Sequence, residues 1–239
     1  MEKPGEEVPQ SFFVKETMMN KLQLLDEKLN EGVALLENCE FVKEIMGSNK
    51  ELVLKIYTEY LRYCYHYVSL SSSFTPLAAR RLDVKHLHVR KWILEHSGEE
   101  LGHELMAIND LKKLGVDTDK VKTENPPIGV LGYVSFFHYK VAIDNPWCAF
   151  GVLYFLEGMA TKLAPMIAKN VAGHLGEIRA LSFFKEHGDL DVDHMKEQRA
   201  VLEKADLTND DLEAIANTII QTAHMKKFML DKLMEDIKG

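Results

Sequence analysis

Two stretches of the chain set histidine and carboxylate side chains at matched intervals. His96-Ser-Gly-Glu-Glu100-Leu-Gly-His103 and His187-Gly-Asp-Leu-Asp191-Val-Asp-His194 both run His, acid, His at i, i+4 and i+7. On a helix advancing ~100° per residue, three such positions leave the axis within roughly 60° of one another, so each triplet presents one stripe. Neutral imidazole nitrogen with carboxylate oxygen is a donor set for iron, manganese, zinc or cobalt, and the chemistry it supports is metal binding. The second triplet starts about 90 residues after the first, enough chain to lay one helix back against the other. Glu100-x-x-His103 alone is the element from which helical bundles build di-iron sites.

Glu157 is the third candidate. It interrupts the apolar run Phe150-Gly-Val-Leu-Tyr-Phe-Leu-Glu157-Gly-Met-Ala, where a carboxylate is costly to bury without a cation or a hydrogen-bond partner. A chain with 10 His and 37 acids produces some His-x3-acid spacings by chance, so the argument rests on two equal triplets with this glutamate between them. His66, in Tyr63-Cys-Tyr-His66-Tyr67, is a further ligand or supporting group if its helix faces the same cavity. Tyr63, Tyr67, Phe136, Phe137, Tyr154 and Phe155 are expected to line that cavity and favour an apolar or aromatic occupant. Glu99, Glu104, Asp189 and Asp193 read as solvated neighbours pointing elsewhere.

The elements that must position these groups are helical. Apolar residues recur at threes and fours from Ser11 to Phe41 and from Glu51 to Ser71. Thr75-Pro76 opens another helix, and Leu82 to Leu114 continues the pattern with a break expected near Gly98. Val116 to Gly132, with Asn125-Pro126-Pro127, reads as a long loop and a candidate lid. Asn145-Pro146-Trp147 starts a helix through Ala168, and later helices are expected at 175–187, 192–205 and 210–237, the last opened by Thr208 with Asp211. No segment alternates with period two. The expectation is one all-α domain over 1–239, a bundle of about seven helices, with residues 1–10 a loosely ordered tail.

A formal charge of −8 and a pI of about 5.7 give no electrostatic reason to bind nucleic acid or anionic lipid. No apolar run approaches the ~18 residues of a membrane span, and MEKPGEEVPQ lacks the order of a signal peptide, so a cytoplasmic protein is expected, with a homodimer open. Cys39, Cys64 and Cys148 are odd in number and far apart, which offers neither a disulfide framework nor a CxxC site.

The blocks EELGHELMAINDLKKLG, NPWCAFGVLYFLEGMA and ALSFFKEHGDLDVDH resemble the haem-oxygenase-like superfamily, and within it the TenA-like iron-containing oxidases and oxygenases. The resemblance covers about 95–197. It implies a helical bundle around a non-haem iron site that activates dioxygen on a small substrate, with Glu100, His103, Glu157, His187, Asp191 and His194 as ligands. His96 stands where some relatives carry a carboxylate. Fewer carboxylates neutralise less cation charge, which leaves di-iron and mononuclear iron both open, with manganese as another occupant. Three other functions remain: a thiaminase-like TenA hydrolase, for which Cys148 is the suggestive thiol; a true haem oxygenase with one His as the axial iron ligand, which leaves the paired carboxylates unexplained; and a non-enzymatic metal-binding or regulatory module of the same fold.

Overall fold

The computed structural model describes residues 10–239, without the side chains of residues 10–20, 71 and 187–190; the expected tail before Gln10 lies outside the described residues. Every described element is helical: α1 (Gln10–Glu37), α2 (Glu40–Ile45), α3 (Lys50–Ser71), α4 (Thr75–Arg81), α5 (Leu87–Glu99), α6 (Glu104–Lys113), α7 (Thr118–Thr123), α8 (Ile128–Tyr139), α9 (Cys148–Leu175), α10 (Ser182–Lys204) and α11 (Asn209–Lys238). These exceed the seven expected because turns cut off short pieces: α2 and α7 have six residues and α4 has seven. No described helix is long and apolar enough to cross a membrane.

Local chemistry sets the helix ends. Asn49 accepts from the Leu52 amide at the start of α3, and Thr208 with Asp211 forms a reciprocal capping box on α11. Between α8 and α9 the chain widens into one π-turn over Lys140–Asp144, and Arg81 donates to the Val141 and Asp144 carbonyls at 2.6 and 3.1 Å. α1 contributes Leu22, Leu25, Leu29, Val33 and Leu36 to the core, each at the i+3 or i+4 spacing of one stripe. α9 is buried nearly all round through its first twelve residues, as befits a central helix packed by α1, α3, α10 and α11.

Three boundaries differ from expectation. The supposed loop at 116–132 contains α7 and the start of α8. Asp117 caps α7, and Gly129 is a packing residue: a Cβ there would meet the Met229 backbone at 3.2 Å, so glycine lets α8 and α11 approach. The helices expected at 175–187 and 192–205 are instead the end of α9 and one continuous α10, because Gly188 is tolerated inside it. The break near Gly98 falls later, between Glu99 and Glu104, where Gly102 takes φ +93°.

Close approach of α9 and α11 depends on Gly151. A Cβ there would sit 2.5 Å from the Ile215 carbonyl oxygen and 2.7 Å from the Thr218 Cβ, so the helices would have to separate. Gly151→Ala should lower the unfolding free energy by ~1–3 kcal/mol in urea titration. An unchanged midpoint would contradict this packing.

Candidate metal centre

Three helices bring the chemistry together. α5 supplies His96 from its last turn, the turn after it supplies Glu100 and His103, α9 supplies Glu157, and α10 supplies Asp191 and His194. His96 and Glu157 face each other, Nε2 to Oε1 at 3.3 Å, with 2% and 6% of their side chains exposed. The His96 and His194 rings meet edge to face at 4.7 Å between centroids. His194 then turns its Nδ1 toward Glu100 Oε1 at 3.7 Å and Asp191 Oδ1 at 4.0 Å. His103 Nδ1 lies 3.1 Å from Glu100 Oε2.

The first triplet does not form the single helical stripe its spacing suggests. α5 ends at Glu99, so His103 reaches Glu100 across a turn and not along a helix face. The second triplet does lie on one helix. His187 belongs to α10 one turn before Asp191, and its side chain lies outside the described residues.

Electrostatics marks the cluster as unsatisfied in metal-free form. Burial pushes the Glu157 carboxyl well above the usual range, and repulsion from Asp191, Glu100 and Glu197 adds to it. Burial, with repulsion from Glu100, pushes Asp191 up to about 8. Burial pushes His96 down to about 4, leaving a neutral imidazole with a nitrogen lone pair at neutral pH. His103 moves the other way because Glu100 accepts a hydrogen bond from its imidazolium. Among the described residues, His96 Nδ1, His194 Nδ1 and both Glu157 oxygens are buried without a hydrogen-bond partner. Buried polar atoms without partners are uncommon in native proteins, and histidine nitrogens and a carboxylate left so on neighbouring side chains suit a cation.

Glu99, read from the sequence as solvated, also reaches the cluster. Its carboxylate lies 3.6 Å from His194 Nε2, and the donor atoms of His96, Glu99 and His194 fall within 4.8 Å of one another. The side chain of Glu99 is 57% exposed, so water satisfies it without a metal; Glu157 and Asp191 have no such recourse. The inner carboxylates therefore make the stronger demand for a cation, and Glu99 stands at the outer lip beside His103 and Glu197.

Side chains around the cluster hold it in place. Trp92 stacks on His96 at 5.0 Å and on Phe150 at 5.4 Å, fixing the plane of the imidazole, while its Nε1 donates to Glu197 at 3.4 Å. Asp110, fully buried on α6, accepts from Ser182 Oγ at 2.8 Å and the Phe183 amide at 2.9 Å, tying down the start of the helix that carries Asp191 and His194.

A cavity of about 110 Å³ opens from the cluster into the bundle. His96, Glu100, Glu157 and Asp191 form part of its wall, and the rest is mainly apolar, including Leu153, Leu163, Phe183 and Phe184. Of the six aromatic residues expected to line it, Tyr67 does. The others are used elsewhere, because a buried hydroxyl needs a partner and a ring needs packing. Tyr63 donates to Asp236 at 2.6 Å, Tyr154 to Asp26 at 2.5 Å, Phe155 packs on Gly32, and Phe137 lies between Phe74 and Tyr133 with Phe136 against its edge. His66 is likewise apart from the cluster: its Nε2 lies 3.2 Å from Glu124, which also pairs with Arg62.

A family described as iron-containing redox enzymes matches residues 58–227. No curated protein matches in sequence. A domain of unknown function with a haem oxygenase-like fold from Shewanella denitrificans superposes with a TM-score of 0.80 at 22% identity, over 91% of this chain and 93% of that one. A TenA homologue from Pseudomonas syringae gives 0.71 at 12% identity, over 90% and 93%. Another from Pyrococcus furiosus gives 0.66 at 12% identity, over 89% and 99%. At these identities the likeness is one of fold, a haem oxygenase-like helical bundle.

Proposed function

The chain belongs to the iron-containing redox enzymes, and from that premise we propose that it is a non-haem iron oxidase or oxygenase acting with dioxygen on a small apolar or aromatic molecule held in the adjoining cavity. The observation that carries the reading is the pair of buried carboxylates, Glu157 and Asp191, set against the imidazoles of His96 and His194 at the end of that cavity.

Glu100, Glu157, Asp191, His194 and His96 are the groups proposed to hold the metal, with His103 and His187 completing the set on the turn and on α10. Bound iron would supply a redox-active coordination position for dioxygen. The protein's own contribution is separable. Glu157 and Asp191 hold protons in the metal-free state and give them up on ligation, so binding should release protons and strengthen as pH rises. His96 is already neutral and offers its nitrogen without that cost. The Trp92–His96–Phe150 stack fixes one donor, and the apolar wall keeps bulk water from the reacting end.

A TenA-type hydrolase would need a thiol at the cavity. Cys148 is buried off its wall with Sγ 3.9 Å from the Ala214 carbonyl, and burial holds the Cys64 thiol up at about 12. The histidine–carboxylate cluster supports the iron reading instead.

Ferrous loading under anaerobic conditions should leave more than about half an equivalent of iron per chain, and admitting air should then give oxygen uptake that Glu157→Gln abolishes. Iron below about a tenth of an equivalent after loading would count against the site. Bound iron without oxygen uptake would favour a non-enzymatic metal-binding module.

A further inference from the structure

α11 carries a lysine where its apolar stripe has no place for one. Ile215, Ile219, Thr222, Lys226, Met229 and Leu233 follow one another at threes and fours, and Lys226 is 1% exposed. Its side chain helps wall the cavity that also reaches Glu100, Glu157 and Asp191. Nζ is buried without a hydrogen-bond partner among the described residues, and no ion pair joins it to the carboxylates of the cluster. Its surroundings are the faces of Tyr67, Tyr133 and Tyr60, with ring centroids 4.2, 5.3 and 5.5 Å away.

Three tyrosine faces attract an ammonium but accept none of its three N–H bonds in the manner of an oxygen. Placing an unpaired cation in an apolar interior costs several kcal/mol unless an anion joins it. Burial lowers the Lys226 pKa to about 8, which still leaves the group predominantly charged at neutral pH. The same cavity therefore offers a cation with free donors in one part of its wall and the carboxyl groups of the cluster in another. An anionic group entering it is drawn to the first.

We propose that Lys226 binds the carboxylate of the substrate, and that the substrate is a small carboxylic acid with an apolar, aromatic-sized body whose other end lies toward Glu157, Asp191 and His96. The inference deepens the oxidase reading and rests on it for what happens at that far end, but carboxylate binding at Lys226 needs no metal. A carboxylate suits the site better than a phosphate, because one ammonium matches one negative charge and the flanking Leu230, Phe183 and Phe184 give no donors for more. The body would pack on those side chains.

Three probes of one shape separate the possibilities: hydrocinnamate, the corresponding alcohol and the corresponding amine, titrated calorimetrically into chelator-treated protein. Hydrocinnamate should bind at least about tenfold more tightly than the alcohol, and the amine should be the weakest. Lys226→Met should remove the preference for the acid and leave alcohol binding in place, while Lys226→Arg should keep the preference. Alcohol binding by Lys226→Met, together with an unchanged far-ultraviolet circular dichroism spectrum, shows that the variant folds. Equal affinity of the wild type for acid and alcohol, or a preference that survives in Lys226→Met, would overturn the proposal. Because the titration is done without metal, its outcome is independent of whether iron binds at the cluster.

Discussion

Ferrous iron at about a hundred times its dissociation constant should raise the unfolding free energy of the wild-type chain by about 2.7 kcal/mol, or roughly 5–10 °C in melting temperature. The increment follows from mass action on the native state alone, since the donors come from α5, the turn after it, α9 and α10 and are assembled only on folding. Glu157→Gln and Asp191→Ala should each lose most of it while folding as metal-free proteins. Ligation there exchanges the protons that burial and mutual repulsion keep on Glu157 and Asp191 for a shared cation, and either substitution removes a negative donor from the bound state. Anaerobic thermal denaturation with and without ferrous iron is the measurement. Equal increments in wild type and variants would mean that iron binds elsewhere.

Metal-free protein should become less stable as pH rises from about 6.5 to 8, and Asp191→Asn should flatten that decline. Asp191 is held up to about 8 in the fold, from an ordinary value of 3.8. Between those values the native chain keeps a proton that the unfolded chain has lost, so stability falls with pH until the folded group titrates. One such proton over 1.5 pH units amounts to ~2 kcal/mol, or roughly 4–8 °C. Glu157, also raised, and His103, raised beside Glu100, act in the same direction in this window. His96 has its effect elsewhere: lowered to about 4 from 6.5, it costs stability as pH falls below 6.5. The difference between wild type and Asp191→Asn across pH 6.5–8 therefore isolates Asp191. Parallel curves would show that its carboxyl is ionised in the metal-free fold.

Much of this arrangement is legible in the residues. Of the two His, acid, His segments, His96, Glu100, Asp191 and His194 come near one another, and the apolar flanks of Glu157 place that carboxylate on the inside, where the structure has it buried. Helix periodicity carries the bundle, since α1, α3 and α11 each show the stripe that buries them, while α9 reads as the apolar run of a central helix. What periodicity does not carry is the exact end of a helix. The break expected near Gly98 falls instead at Gly102, and that shift takes His103 off the helical stripe. In the second triplet Gly188 looks like a similar break, yet α10 runs through it, a glycine inside a helix costing only about 1 kcal/mol.

Orientation about the helix axis is the other limit. Glu99 and Glu100 are adjacent and chemically alike, and only the packing of α5 against α10 sends one to the outer lip and the other to the cavity wall. Tyrosines crowd α3, but which ring meets the cavity depends on where each hydroxyl finds a partner: Tyr63 is drawn to Asp236 while Tyr67 stays inside. Lys226 did leave a readable trace, a cation at a core position of α11. Its meaning emerges when Tyr60, Tyr67 and Tyr133, from two other helices, are seen around it.

The central claim is that iron sits among the inner donors. Anomalous diffraction at the iron absorption edge, from crystals of protein loaded anaerobically with ferrous iron, tests it most directly. The account predicts a peak within about 2.0–2.2 Å of oxygens from Glu157 and Asp191 and of nitrogen from His194. A peak confined to the outer lip at Glu99, or an iron-loaded crystal with no peak near Glu157 and Asp191, would contradict it.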